Sequence, residues 1–440
     1  MIIGLQEMMT LDIMKEHMHL RTLLLSLLSI AALEAKPLSV QVSAPSAILI
    51  NADTGAILYA KDIHRKSWPG SITKIATAMY VLEKKGDYLD EIVQASKKAV
   101  HVIHSSIRLA PGSKHAPYQL EHDGTMAGIK PGEAHSLHSL LYGLMLSSGN
   151  DAGNVIAEAV SGSVDRFCEE LNSYLKQHGV LETQFVNPHG LHHDDHWTTA
   201  YDMAKMTRVA MKHPTFREIV KTTRYLTPQT NLQPAKYYVQ HNRLLKQGAL
   251  FYPKAIGVKT GYHSRAGFTM VGAATHEGRT LIAVVLKCQE SSDRFRDVIK
   301  LFDAAFSEKK TARTLYARDS DTFTHRIPGA TEALKAVLKD DAVLEYYPAE
   351  EPQFRAEIKW TVKDFPLSIG DCVGHLRCID ESGNVLMEKP IFAVNSVSRS
   401  VWSSLTTFCK SHKPLCLALF LGSQVLLLLI YFFKKHKKLG

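Results

Sequence analysis

Residues 414–433 (PLCLALFLGSQVLLLLIYFF) form a run of 20 residues without a charge, and Lys434, Lys435, Lys437 and Lys438 follow at once. A helix of that length matches the hydrocarbon thickness of a bilayer. Lysines abutting such a run stay on the cytoplasmic side. The sequence thus predicts a transmembrane helix over 414–433 and a basic cytoplasmic tail over 434–440. A shorter apolar run, residues 22–32 (TLLLSLLSIAA), follows His17, His19 and Arg21 and gives way to small residues up to Ala35. It reads as a secretory signal over 1–35, cut after Ala35. Glu7, Asp12 and Glu16 make its leader long and acidic, which points to a start at Met14 or Met18. A retained N-terminal anchor is the alternative. Everything between the two runs is expected to be exported.

That stretch changes texture once. Residues 47–59 read as a hairpin turning at Asp53-Thr54-Gly55. Trp68-Pro69-Gly70 breaks the chain, and Ile72, Ile75, Ala76 and Met79 then recur at helical spacing from Ser71. A second helix carries Leu137, Leu140, Leu141, Leu144 and Met145 into Ser147-Ser148-Gly149-Asn150, and a third starts at Asp151. Residues 255–259 and 267–287 read as strands, and 292–306 as a helix. This order implies an α+β sandwich over 36–308. Beyond about residue 312, segments 342–347, 353–362, 371–379 and 384–394 are short and alternating, so 312–395 reads as a small all-β domain. Residues 396–413 read as a juxtamembrane linker.

Three short motifs carry chemistry. In Ser71-Ile72-Thr73-Lys74, helical spacing brings the lysine beside the hydroxyl. A desolvated lysine loses its proton and becomes a base for a nucleophilic serine. The same spacing recurs at 173–176 and 307–310, but in polar helices where solvated faces explain it. Ser148-Gly149-Asn150 sits at a helix junction, where a hydroxyl could relay a proton and an amide orient a substrate. Its second copy, residues 382–384, falls between strands and reads as a turn. Lys259-Thr260-Gly261 occurs once, on a predicted strand. Its lysine and hydroxyl suit a carboxylate, and its glycine permits close backbone approach.

Ser-x-x-Lys, Ser-x-Asn and Lys-Thr-Gly in this order resemble the signature of penicillin-recognising serine enzymes. WPGSITKIATAMYVLE, SSGNDAGNVIAE, FVNPHGLHHDDHWTTAYDMA, HNRLL, GVKTGYHSRAGF and DRFRDVIKLF narrow the resemblance to the D-alanyl-D-alanine carboxypeptidases among low-molecular-mass penicillin-binding proteins. It spans about residues 40–306, and FPLSIGDCVGHLRC and EKPIFAV resemble that family's β-rich C-terminal domain. The resemblance implies a penicillin-binding/β-lactamase-like transpeptidase fold, an antiparallel sheet plus a helical subdomain. It makes Ser71 the nucleophile and Lys74 its base. Ser148 and Lys259 pass a proton to departing D-alanine, and Asn150 holds the peptide and the lysine. Thr260 binds the terminal carboxylate, Gly261 beside it is a further substrate-binding residue, and Arg243 and Arg294 match arginines near the substrate carboxylate. The N–H groups of Ser71 and Tyr262 form the oxyanion hole. The implied ligands are a peptidoglycan stem peptide ending in D-Ala-D-Ala and β-lactam inhibitors. The implied place is the periplasmic side of a bacterial inner membrane. Asn187, Pro188, His189 and Gly190 match a structural turn of the family.

Two departures stand out. Extra residues lie around 110–123, and many relatives end in an amphipathic surface helix instead of a span. Other function classes fit less well. The net charge of +9 comes without an arginine stripe interleaved with aromatics, which argues against nucleic acid. His189, His192, His193 and His196 cluster with Asp194 and Asp195, yet lack the H-E-x-x-H spacing of a helical zinc site. No metal or organic cofactor is expected. Of six cysteines, Cys372 and Cys378 either bridge a short loop or are small buried side chains. The rivals to a carboxypeptidase are an endopeptidase or transpeptidase on cross-linked peptides, a β-lactamase, and a non-catalytic scaffold. A class A β-lactamase needs an added deacylating glutamate, and the EELN at 169–172 matches a carboxypeptidase helix instead.

Overall fold

The structure is a computed structural model that describes residues 36–110, 112–362, 365–380, 383–412, 422–427 and 430. The expected signal over 1–35 lies outside the described residues. Two compact units emerge. The first comprises Ala35–Lys309 with Tyr347–Glu350, and the second Lys310–Tyr346 with the residues from Glu351 on.

The first unit is built on a five-stranded antiparallel sheet of β1 (Ser46–Asn51), β2 (Ile57–Lys61), β3 (Ala255–His263), β4 (Gly267–His276) and β5 (Arg279–Cys288). The spatial order is β2-β1-β5-β4-β3, so β3 is an edge strand. Period-two alternation divides its strands between two cores. Ile48 and Ile50 of β1 and Ile282 and Val284 of β5 face a helical layer. Ala47, Leu49, Leu281 and Ala283 face the opposite side, where Phe295, Val298 and Phe302 of the closing helix pack.

The helical layer holds α1 (Lys74–Lys85), α2 (Leu137–Met145), α3 (Asn150–Ser161), α4 (Val164–Gln177), α5 (Ala200–Ala210) and α6 (Pro214–Lys221), and α7 (Asp293–Phe306) closes the other face. Helix α1 departs from the amphipathic expectation: residues 74–82 are all buried. A helix buried on all sides is the pivot of its layer. It is preceded by a tight 3-10 turn, Gly70–Thr73, so Ser71 sits before the regular helix and Lys74 on its first residue.

The second unit contains β6 (Thr311–Tyr316), β7 (Phe323–His325), β8 (Leu334–Leu338), β9 (Ala342–Tyr346), β10 (Phe354–Trp360), β11 (Cys372–Asp380) and β12 (Val385–Ala393). A sheet ordered β7-β8-β12-β11-β10 and a β6-β9 ribbon enclose Leu334, Leu376, Cys378 and Ile391. Strands β6, β7 and β8 escaped the sequence reading. In β8 the residues Ala336, Val337 and Leu338 are buried in succession, which erases the alternation that marks a half-buried strand. Cys372 and Cys378 share β11 and are free thiols. Six residues of strand separate their Cα atoms by about 20 Å, far beyond the roughly 7 Å a disulfide tolerates; the bridge is excluded and the buried-side-chain alternative holds for Cys378.

The segment expected as a linker carries a helix, α8 (Val401–Ser411), whose N-cap Ser400 side chain accepts from Ser403 N–H. Most of the expected span over 414–433 lies outside the described residues. Among the described residues, no helix is long and apolar enough to cross a membrane.

Candidate active site

Three elements bring the motifs to one cleft of about 510 Å³, lined by Ser71, Ser148, Asn150, Thr260, Gly261 and Tyr262 among others. The Gly70–Thr73 turn supplies Ser71. The α2–α3 junction supplies Ser148 and Asn150, and the β3 edge supplies Lys259, Thr260 and Gly261.

Lys74 is fully buried. Its Nζ lies 2.9 Å from Ser71 Oγ, 2.7 Å from Asn150 Oδ1 and 2.7 Å from the His189 carbonyl oxygen. Burial, then the nearby Lys259 charge, holds its pKa well below the ordinary lysine range, while Asp151 pulls the other way. A neutral amine has two N–H donors and one lone pair. Asn150 Oδ1 and the His189 carbonyl can only accept, so they take both N–H groups. The lone pair is then left facing the Ser71 hydroxyl, the one neighbour with a proton to give.

Lys259 is the second buried cation. Its Nζ donates to Ser148 Oγ at 3.0 Å and to the Thr260 carbonyl at 3.0 Å. Burial and then Arg294 push its pKa down to about 7. Ser148 adopts φ +56°, the left-handed region that side chains seldom occupy. Thr125 Oγ1 fixes this turn by donating to the Ser148 carbonyl at 2.7 Å.

Gly261 also serves the chain's own packing. A Cβ there would lie 2.4 Å from Thr269 Oγ1 and 2.9 Å from Ser71 N. The glycine therefore lets β3 close on the Ser71 turn, a close approach within the chain itself. Thr269 Oγ1 locks that approach by donating to the Pro69 carbonyl at 2.7 Å. Tyr262 stands exposed at the rim, stacked on Phe268 at 4.4 Å.

The two arginines part company. Arg294 lines the cleft and its Nη1 donates to the Gly261 carbonyl at 2.7 Å. Burial lowers its pKa to about 10. Arg243 is exposed on the short turn Arg243–Leu245, outside the cleft lining, and acts on the site as a positive charge near Arg294.

Several contributors escaped the sequence reading. The Asp151 carboxylate accepts from the N–H groups of Ala127, Gly128 and Ile129 at 2.7, 2.8 and 3.0 Å, tying the cleft wall to the start of α3. An acid directly after Ser-Gly-Asn, in the first turn of a helix, was its available signal. Two of the clustered histidines, His189 and His196, brace the backbone around the site. His196 Nε2 donates to Thr73 Oγ1 and its Nδ1 accepts from Val186 N–H. His189 Nδ1 accepts from Leu191 N–H while its Nε2 donates to the Tyr118 carbonyl. Both ring nitrogens of each are committed, and burial pushes both imidazoles toward the neutral form. Asn187 braces the same turn, its Oδ1 accepting from Gly190 N–H at 2.7 Å. Gly190 itself has φ +95°, and a Cβ on it would fall 1.9 Å from the Gly70 carbonyl oxygen.

The chain is similar to known proteins in sequence and in fold. The family profile described as D-alanyl-D-alanine carboxypeptidase, peptidase S11, matches residues 31–290. The chain belongs to this family of serine peptidases. D-alanyl-D-alanine carboxypeptidase DacF of Bacillus subtilis is 29% identical over 81% of this chain and 86% of its own length. D-alanyl-D-alanine carboxypeptidase DacD of Escherichia coli is 27% identical over 84% and 90%. Among solved structures, the Streptomyces K15 DD-transpeptidase superposes with TM-score 0.53 at 29% identity, covering 61% of this chain and 98% of that one. DacD from Francisella tularensis gives TM-score 0.55 at 22% identity over 85% and 98%, a likeness of fold.

Proposed function

We propose that the chain removes the terminal D-alanine of peptidoglycan stem peptides through an acyl-enzyme on Ser71. The observation that carries this reading is the Lys74 amine, buried, with two carbonyl acceptors and the Ser71 hydroxyl as neighbours. Lys74 takes the Ser71 proton as Oγ attacks the carbonyl of the penultimate D-alanine. The N–H groups of Ser71 and Tyr262 receive the oxyanion. As the C–N bond breaks, Ser148 gives its proton to the departing amine and recovers one from Lys259. Thr260 and Arg294 receive the terminal carboxylate. Lys74 then gives up the proton it took, which replaces the one Lys259 lost. Neutral again, it deprotonates water, the hydroxide cleaves the Ser71 ester, and that proton passes to Ser71 Oγ as the shortened peptide leaves. A strained β-lactam amide enters the same sequence and leaves Ser71 acylated. The test is D-alanine release from a peptide ending in Lys-D-Ala-D-Ala, with Ser71→Ala beside the wild type.

The likeness to a protein described as a DD-transpeptidase supports a second reading, transfer of the same acyl group to an amine. Mass spectra of digested cell wall separate them: tetrapeptides from pentapeptides indicate a carboxypeptidase, new cross-links a transpeptidase, and loss of dimers an endopeptidase.

We also propose that the catalytic unit works on the exported side of the inner membrane, held by residues 414–433 with Lys434, Lys435, Lys437 and Lys438 in the cytoplasm. The uncharged length of the run and the abutting lysines support this. The full chain is expected in the membrane fraction after a carbonate wash, and a chain ending at residue 405 in the soluble fraction. Retention of the shortened chain in washed membranes would refute the anchor.

A further inference from the structure

The segment that departs from the family pattern is built into the cleft wall. Its entry is a short helix, Ser105–Arg108, and its exit strand Leu120–Glu121 pairs in parallel with Val102–Ile103. Arg108 and Glu121, both buried, form an ion pair, and Arg108 Nη2 also donates to the His192 carbonyl at 3.0 Å. Burying such a pair is costly in desolvation. What it secures is the position of the chain that follows. Glu121 to Gly124 form a tight turn, closed by Gly124 N–H donating to the Glu121 carbonyl at 3.0 Å. Asn150 N–H then donates to the Thr125 carbonyl at 2.9 Å. The turn is thereby fastened to the residue that holds Lys74.

Two acids of this turn line the cleft, and they are not equivalent. Glu121 is neutralised by Arg108. Asp123, at the tip, is exposed, and no side-chain hydrogen bond or ion pair ties it to another described residue. Besides Tyr262, the other ionisable groups lining the cleft are Arg294, His241 and His263, with the buried Lys259 behind Ser148. Lys259 and Arg294 suit the terminal carboxylate of a peptide. An unpartnered carboxylate in the same cleft suits the opposite charge.

We infer that Asp123 is a specificity-determining residue that receives the free side-chain amine of the diamino acid preceding D-Ala-D-Ala in the stem peptide. The inference rests on the carboxypeptidase reading above. The cleft then reads its substrate at two points of opposite charge, the terminal carboxylate at Thr260 and Arg294 and the amine at Asp123. Misregistered peptides, and peptides whose amine is already consumed in a cross-link, lose the second contact.

The experiment measures kcat/KM for D-alanine release from two peptides, Nα-acetyl-Lys-D-Ala-D-Ala and its Nα,Nε-diacetyl form. Wild type is expected to favour the free amine by about fivefold to tenfold, a charge-assisted contact weakened by exposure, and the preference shrinks in high salt. In Asp123→Asn the ratio of the two values should fall toward one, chiefly through KM, and in Asp123→Lys it should invert. Penicillin acylation of Ser71, which needs no amine in the ligand, reports that each variant has an assembled site. A wild-type ratio near one, or a preference that survives in Asp123→Asn, would overturn the subsite. Failure of the wild type to release D-alanine from either peptide would overturn the carboxypeptidase reading and the subsite with it.

Discussion

At the scale of single residues, two buried lysines meet in the site, and the proposed reaction gives them opposite jobs. In it Lys74 is neutral to accept the Ser71 proton, and Lys259 is charged to replace the proton that Ser148 gives away. Both have depressed pKa values, led by burial. The sign of the pH dependence follows. Activity rises with pH as Lys74 loses its proton, and falls as Lys259 loses its own. The profile of kcat/KM, which reports the free enzyme, should be a bell. Its descending limb should begin near pH 7 and in any case well below 10.5, the ordinary lysine value. A rate that climbs steadily beyond pH 10 would contradict the donor role of Lys259. Ser71, Lys74, Ser148, Asn150 and Lys259 were legible because their spacing encodes proximity or their motif is rare. Asp151 and the His189 carbonyl were not. A backbone acceptor leaves no mark in a sequence, and an acid at a helix start has commoner explanations.

At the scale of elements, the cleft depends on how closely β3 approaches the Ser71 turn. Gly261→Ala would push a methyl into Thr269 Oγ1 and Ser71 N. Strand and turn must then separate by a fraction of an ångström or more. Overpacking of this kind costs about 1–3 kcal/mol of stability, and a displacement near 1 Å costs roughly 100-fold in rate. The expected result is a folded protein with a lowered melting point and kcat/KM reduced by about two orders of magnitude. Thermal unfolding and the D-alanine assay measure the two effects separately, and an unimpaired rate would show that β3 need not touch the turn. The hairpin of β1 and β2 and helices α1, α2, α3 and α7 were all readable from periodicity and turn residues. Strand β3 was read over 255–259, and its continuation to His263 was not bounded, because Thr260, Gly261 and Tyr262 break the apolar run that marks a buried strand.

At the scale of the whole molecule, the central sheet divides the first unit into a reactive and a supporting half. Ser71, Lys74, Ser148 and Asn150 all come from the helical side, and β3 meets them from its edge. Alternation in β1 and β5 specifies both cores at once, and the α+β class was readable from the succession of strands and helices along the chain without knowing the strand order. The order itself could not: pairing of β1 with β5, 230 residues downstream, is a long-range contact that local pattern does not encode. In the second unit, consecutive burial in β8 hid a central strand, while cysteine spacing suggested a bridge that the strand geometry forbids.

The measurement that tests the central claim most directly is D-alanine release by residues 36–405 from a peptide ending in Lys-D-Ala-D-Ala. The account predicts stoichiometric D-alanine and shortened peptide from the wild type, and a loss of at least roughly 10⁴-fold in Ser71→Ala. Release by Ser71→Ala at a comparable rate would show that the reaction does not pass through Ser71.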